Sequence, residues 1–166
     1  MKRHGFIVLV LATFIAVPLR TQGAEAWMSY TGNYFKIGVP PGFQIQPQGK
    51  PGAIGKYDEL CLWNEKLRVQ FSVFSPQWNG EALFARVQEQ REILKSREEK
   101  TTGGVKEIQL EISARDGSYI RFVVSRTKLD ENTNTTFGIQ VPSMEIYGKV
   151  KTIYLKWKAS LEQYAD

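Results

Sequence analysis

The sequence predicts an α+β domain: an antiparallel sheet of about six strands with helices packed against it. Three observations carry this. Short runs alternate apolar and polar residues with period two, clusters of Gly, Pro, Asn and Asp separate them, and two longer segments space their apolar residues as helices do.

Phe35, Ile37 and Val39 alternate with Lys36 and Gly38, and Pro40-Pro41-Gly42 closes that strand with a rigid turn. Residues 58–63 and 66–74 form two more strands, the second with Leu67, Val69, Phe71 and Val73 on one face; Asn64-Glu65 suits a tight hairpin between them. Pro76 ends the strand, and Asn79 is a good N-cap for a helix over 80–99 with Leu83, Phe84, Val87 and Leu94 as its apolar stripe. Trp78 and Leu83 then stand where a hydrophobic staple would sit.

After Gly103-Gly104, Ile108, Leu110 and Ile112 alternate with polar residues, Asp116-Gly117 turns the chain, and Ile120, Phe122 and Val124 alternate on the return. The polar stretch 128–136 is a loop, and Phe137, Ile139 and Val141 make a last strand ended by Pro142. From Tyr147 onward, Tyr147, Val150, Tyr154, Trp157, Leu161 and Tyr164 recur at steps of three and four, a helical stripe that docks aromatic side down.

The N-terminus reads as a signal peptide over residues 1–26. Lys2, Arg3 and His4 form a basic start, Gly5 to Leu19 is an apolar run, and Ala24 and Ala26 are the small residues at the cleavage site. The run has fifteen residues, against the roughly 20 that a spanning helix needs. A mature chain 27–166, a single domain, is therefore expected to be exported, periplasmic or extracellular. No cysteine near the cleavage site offers a lipid anchor an attachment point.

Residues 1–26 hold three of the 22 basic and one of the 17 acidic residues, so the mature chain carries only +3. That mild excess does not suggest nucleic acid as a partner. The 140 mature residues suffice for one core without a disulfide or metal. The single cysteine, Cys61, sits among Leu60, Leu62 and Trp63 and is expected to be buried. The only histidine, His4, lies in the segment to be removed. Ser-His-Asp and Cys-His chemistry lose their base, zinc sites lose their commonest ligand, and no catalytic, cofactor or metal residue is assigned.

Two stretches imitate motifs. Gly49 to Tyr57 has the glycines of a phosphate loop at the wrong spacing, with Tyr57 where Ser or Thr is required. Asp130, Asn132 and Asn134 match the first ligands of a calcium loop, but Thr135 and Val141 replace its glycine and its closing glutamate. Asn134-Thr135-Thr136 is also a glycosylation sequon.

Lys149, Lys151, Lys156 and Lys158 fall off the C-terminal stripe and are the candidate interaction surface. Such a face could be merely solvated, or it could meet an anionic membrane or an acidic partner.

Tyr30, Phe35-Lys36-Ile37 and Pro40-Pro41-Gly42-Phe43, with the order of elements over residues 30–164, resemble the PsbP-like fold. That family includes the photosystem II protein PsbP, the Ran-binding Mog protein of yeast and exported bacterial proteins such as the DcrB-like ones. The resemblance implies an α/β/α sandwich with helices packed on the faces of its sheet, and an accessory or binding role without catalysis. It carries over no site residue. The expected function is that of an exported accessory or binding protein of the cell envelope, with an envelope protein as its partner. The alternative is an envelope hydrolase using carboxylates and arginines.

Overall fold

The computed structural model describes residues 26–46, 59–76 and 78–164. The signal segment through Glu25, including Ala24, and the Gly49–Tyr57 stretch lie outside them; Ala26 is the first described residue and is exposed.

Among the described residues ten strands make two antiparallel sheets. A small one has β1 (Met28–Thr31), β2 (Phe35–Val39) and β10 (Glu162–Gln163), with β2 in the middle. The large one runs β3 (Gln44–Ile45), β4 (Glu59–Asn64), β5 (Val69–Phe74), β9 (Thr133–Val141), β8 (Ile120–Lys128), β7 (Val105–Ala114) and β6 (Glu92–Thr102), in that order across the sheet. One helix, α1 (Met144–Ala159), packs with the small sheet over the front face of the large one. Among the described residues the fold is thus mostly β with a single helix. The expected helices on both faces reduce to one, because the back face is crossed instead by an irregular segment over 78–91 that holds one 3-10 turn, Leu83–Ala85.

The core follows from alternation. Leu60 and Leu62, Val69, Phe71 and Val73, and Phe137, Ile139 and Val141 all point to the front face, where they meet Phe35, Ile37 and Val39 of the small sheet and Val150, Tyr154 and Trp157 of α1. Trp157 is completely buried, with the ring of Phe71 at 5.2 Å, Phe137 at 5.7 Å and Tyr154 at 5.9 Å. Tyr147, Val150, Tyr154 and Trp157 dock as the sequence suggests, whereas Leu161 and Tyr164 lie beyond the helix and Tyr164 is exposed. The helix starts earlier than Tyr147, since Ser143 caps it by accepting a hydrogen bond from Ile146 N, and it stops at Ala159. At its far end Ser160 Oγ donates to Trp157 O and accepts from Gly38 N, which ties α1 to β2. A side chain at Gly38 would lie 2.7 Å from the Trp27 ring, so only glycine allows this approach.

Residues 80–99 are not a helix. Glu92–Thr102 is the long edge strand β6, paired with β7 along its length through Gly103-Gly104, whose positive φ values of 57° and 76° suit a two-residue hairpin turn. Its Glu, Lys and Arg residues favour helices locally, but eleven residues of ladder pairing override that preference. The staple is absent as well. Trp78 packs edgewise on Tyr34 at 5.4 Å, Leu83 is exposed, and the Asn79 side chain donates to Asn132 Oδ1. Phe84 instead lies over Gly138 on the back face.

Other boundaries shift too. The 66–74 strand begins at Val69, because Asn64 Oδ1 accepts from Leu67 N and holds a four-residue loop with Arg68 at φ 55°. The polar stretch 128–136 is a hairpin whose strands run to Lys128 and from Thr133. The register also sends Ile108, Leu110 and Ile112 to the back face and Ile120, Phe122 and Val124 to the front. Cys61 points to the back face and is half-buried. Desolvation raises its thiol to about 11, offset in part by the Ser72 hydroxyl 3.7 Å away.

Trp157→Ala should destabilise the fold by roughly 3–5 kcal/mol, since it removes the ring around which the front core is packed. Denaturant unfolding checks this, and a loss below about 1 kcal/mol would mean that α1 is not docked.

Candidate functional site

The four C-terminal lysines do not share a face. In a helix, residues seven apart lie on one side and residues two apart lie far around the axis. Lys149 and Lys156 therefore occupy one flank of α1, and Lys151 and Lys158 the other. Lys149 pairs with Glu145 at 2.7 Å, and Lys156 lies over the Trp27 ring at 4.9 Å. Lys151 is exposed. Lys158 turns inward: it is half-buried, 5.1 Å from the Phe137 ring and 5.6 Å from that of Tyr154. Of the four, Lys158 alone borders a concave site, over the ring of Phe137 that lines it.

That site is a groove of about 470 Å³ between the end of α1 and the far ends of β6 to β9. Strand pairing assembles it. Lys100 of β6 stands opposite Glu107 of β7, Glu107 opposite Arg126 of β8, and Val105 opposite Lys128. These positions alternate onto the front face beyond the reach of α1, so their charges meet water and each other. Val105, Phe137 and Leu161 supply an apolar strip beside them.

Glu107 is the hub. It is 7% exposed, accepts from Gln109 Nε2 at 2.6 Å and Arg126 Nε at 2.6 Å, and meets Lys100 Nζ at 3.1 Å. The Gln109 amide, then Arg126 and Lys100, stabilise the carboxylate more than burial disfavours it, and its pKa falls to about 2. It cannot take up a proton near neutral pH. Burial, then the neighbouring Arg126, pushes the Lys158 ammonium below its ordinary value. Lys128 pairs with the exposed Glu131 at 2.9 Å.

A second, smaller cavity of about 200 Å³ lies on the back face around Glu92, Tyr119 and Arg121. Arg121 pairs with Glu92 at 2.6 Å, and both are buried. Arg121 also donates to the carbonyl oxygens of Phe84 and Arg86, while Glu92 accepts from Gln88 N and the Tyr119 hydroxyl. These contacts tie β6, β8 and the segment over 84–88 together.

The calcium-loop and sequon stretch acquires a structural role. Asn134 is 5% exposed; its amide donates to Ser125 and Thr127, and its carbonyl accepts from Thr136. It is therefore turned away from any calcium loop and is closed to glycosylation in the folded chain. Among the described residues no three His, Cys, Asp or Glu side chains are placed to hold a metal. No helix among them is long and apolar enough to cross a membrane.

No protein-family model matches the sequence, and no curated protein does. Among solved structures the chain is similar to the cyanobacterial PsbP, CyanoP, of Synechocystis sp. PCC 6803, with a TM-score of 0.51 and 14% identity over 87% of this chain and 96% of that one. It is also similar to the Ran-binding protein Mog1p of Saccharomyces cerevisiae, with a TM-score of 0.42 and 10% identity over 82% and 96% of the two chains. A Pseudomonas aeruginosa protein of unknown function gives 0.42 and 11% over 86% and 100%. The first likeness shows a PsbP-like fold, as the sequence suggested; at 0.42 the other two carry no argument.

The Glu107 pKa sets a pH dependence. Because it lies below the ordinary 4.5, the ionised group favours the folded state above that value, and this contribution fades as pH falls from 4.5 toward 2. Glu107→Gln should therefore be less stable than the parent at pH 7, and the gap should close over that acid range. Denaturant melts at several pH values check this; a gap that does not change with pH would contradict the assignment.

Proposed function

We propose that this chain is an exported accessory or binding protein of the cell envelope, of the DcrB-like kind, that holds a protein partner in the groove at the end of α1. The observation that carries this is the meeting of Lys100, Arg126 and Lys128 with the apolar strip of Val105, Phe137 and Leu161 in one concave site, bordered by Lys158 over the Phe137 ring. Cations beside exposed apolar surface suit recognition, with charge supplying specificity and burial supplying affinity. The basic start, apolar run and Ala24 and Ala26 support export.

The same groove also sets a carboxylate beside an arginine, as a hydrolase would. Glu107 argues for binding instead. Its oxygens are occupied by three donors and its pKa is about 2, so it is a poor general acid or base. A glycosidase-type mechanism needs a second carboxylate, and among the described residues the groove lining contains only Glu107.

Crosslinking in native cells tests the proposal. A double variant, Arg126→Glu with Lys158→Glu, should lose a crosslinked envelope partner that the parent retains, while Lys149→Glu with Lys151→Glu keeps it. Circular dichroism melts establish that both are folded. Equal crosslinking by the two folded variants would reject the groove as the partner surface.

A further inference from the structure

Among the described residues the charges in the groove are not balanced from within. Glu107 is saturated by Gln109, Lys100 and Arg126, yet Arg126 uses only Nε on it. Among the described residues the two terminal amino groups of Arg126 have no hydrogen-bond partner, and the side chain is 57% exposed. Lys158, half-buried against Phe137 and Tyr154, forms no ion pair among the described residues. A partly desolvated ammonium beside a second cation is a standing cost that an anion relieves. Glu131, which holds Lys128, is 53% exposed on its side chain and can give way.

The apolar strip narrows the class of anion. Val105, Phe137 and Leu161 lie beside the free guanidinium edge, so a ligand that fills the groove carries an apolar group next to its charge. Inorganic phosphate has no such group. An anionic membrane presents a flat charged surface, whereas the helix lysines are split between two flanks and Lys100, Arg126 and Lys128 line a concavity.

We infer that the groove takes an acidic, amphipathic peptide segment of the partner, with one carboxylate forked on the free amino groups of Arg126 next to Lys158 and an adjoining apolar side chain on Val105, Phe137 and Leu161. A planar guanidinium offers two parallel N–H groups to a carboxylate, which fixes orientation as well as charge. The inference rests on the groove being the partner surface and names the chemistry recognised there.

The test is an NMR titration of the purified full chain with four probes: a short peptide alternating Glu and Leu with blocked ends, its Gln and Leu counterpart, inorganic phosphate, and phosphatidylglycerol–phosphatidylcholine vesicles. The acidic peptide should shift the Arg126 Nε–H signal and the signals of Phe137 and Leu161. It should bind at least about tenfold more tightly than the Gln peptide. Arg126→Gln and Lys158→Gln should each weaken it by about three- to tenfold, and Lys149→Gln should not. Equal binding of the two peptides, shifts centred on Lys149, Lys151 and Lys156, or groove shifts reproduced as strongly by phosphate or vesicles would each overturn the inference. If the peptide fails while crosslinking still depends on Arg126 and Lys158, the inference falls and the groove remains the partner surface.

Discussion

The buried pair of Arg121 and Glu92 adds a side-chain tie between β8, the start of β6 and the segment that crosses the back face. Arg121 belongs to β8, Glu92 begins β6, and the carbonyls of Phe84 and Arg86 that Arg121 also binds belong to the segment crossing the back face. Such a pair adds little net stability, because desolvating two charges offsets much of their attraction, but breaking it leaves an uncompensated buried charge. Its value is in specification. Other arrangements of β6 and of the crossing segment leave either Glu92 or Arg121 buried without a partner.

The groove depends on that constraint. β6 is an exposed edge strand with a polar surface, and such strands slip easily. It is pinned at one end by Glu92 and at the other by the Gly103-Gly104 turn, with an irregularity between Leu94 and Ser96 absorbing one residue. Only in this register does Lys100 face Glu107 across from Arg126. A slip of one residue would turn Lys100 to the back face and leave the hub carboxylate with one cation fewer. The front core sets the other wall: Trp157 fixes the pitch of α1, and with it Lys158 over Phe137.

Periodicity made part of this legible. Phe35 to Val39, Val69 to Val73, Phe137 to Val141 and the aromatic stripe of α1 each have one face buried in a well-formed core, so their patterns survive in the sequence. β6 was hidden because an edge strand facing water is composed like a solvated helix, and Leu83, Phe84, Val87 and Leu94 happen to fall at helical spacing. The Gly103-Gly104 pair before a strand was the available signal for a hairpin. Lys128 to Thr136 read as a loop because both its faces are polar. The four lysines were visible as a run, but their division between two flanks follows from the helical rotation, and in the groove Lys100 meets Arg126 and Lys128 only through cross-strand pairing.

Hydrogen–deuterium exchange of the parent and of Glu92→Gln measures the central constraint directly. If the pair holds β6 in register, the β6 and facing β7 amides and the backbone around Arg86 to Gln88 should exchange at least about tenfold faster in the variant, while β4, β5 and β9 keep their protection. Unchanged protection along β6 and β7 in a folded Glu92→Gln protein would contradict it, and would mean that the Gly103-Gly104 turn alone sets the register on which the groove is built.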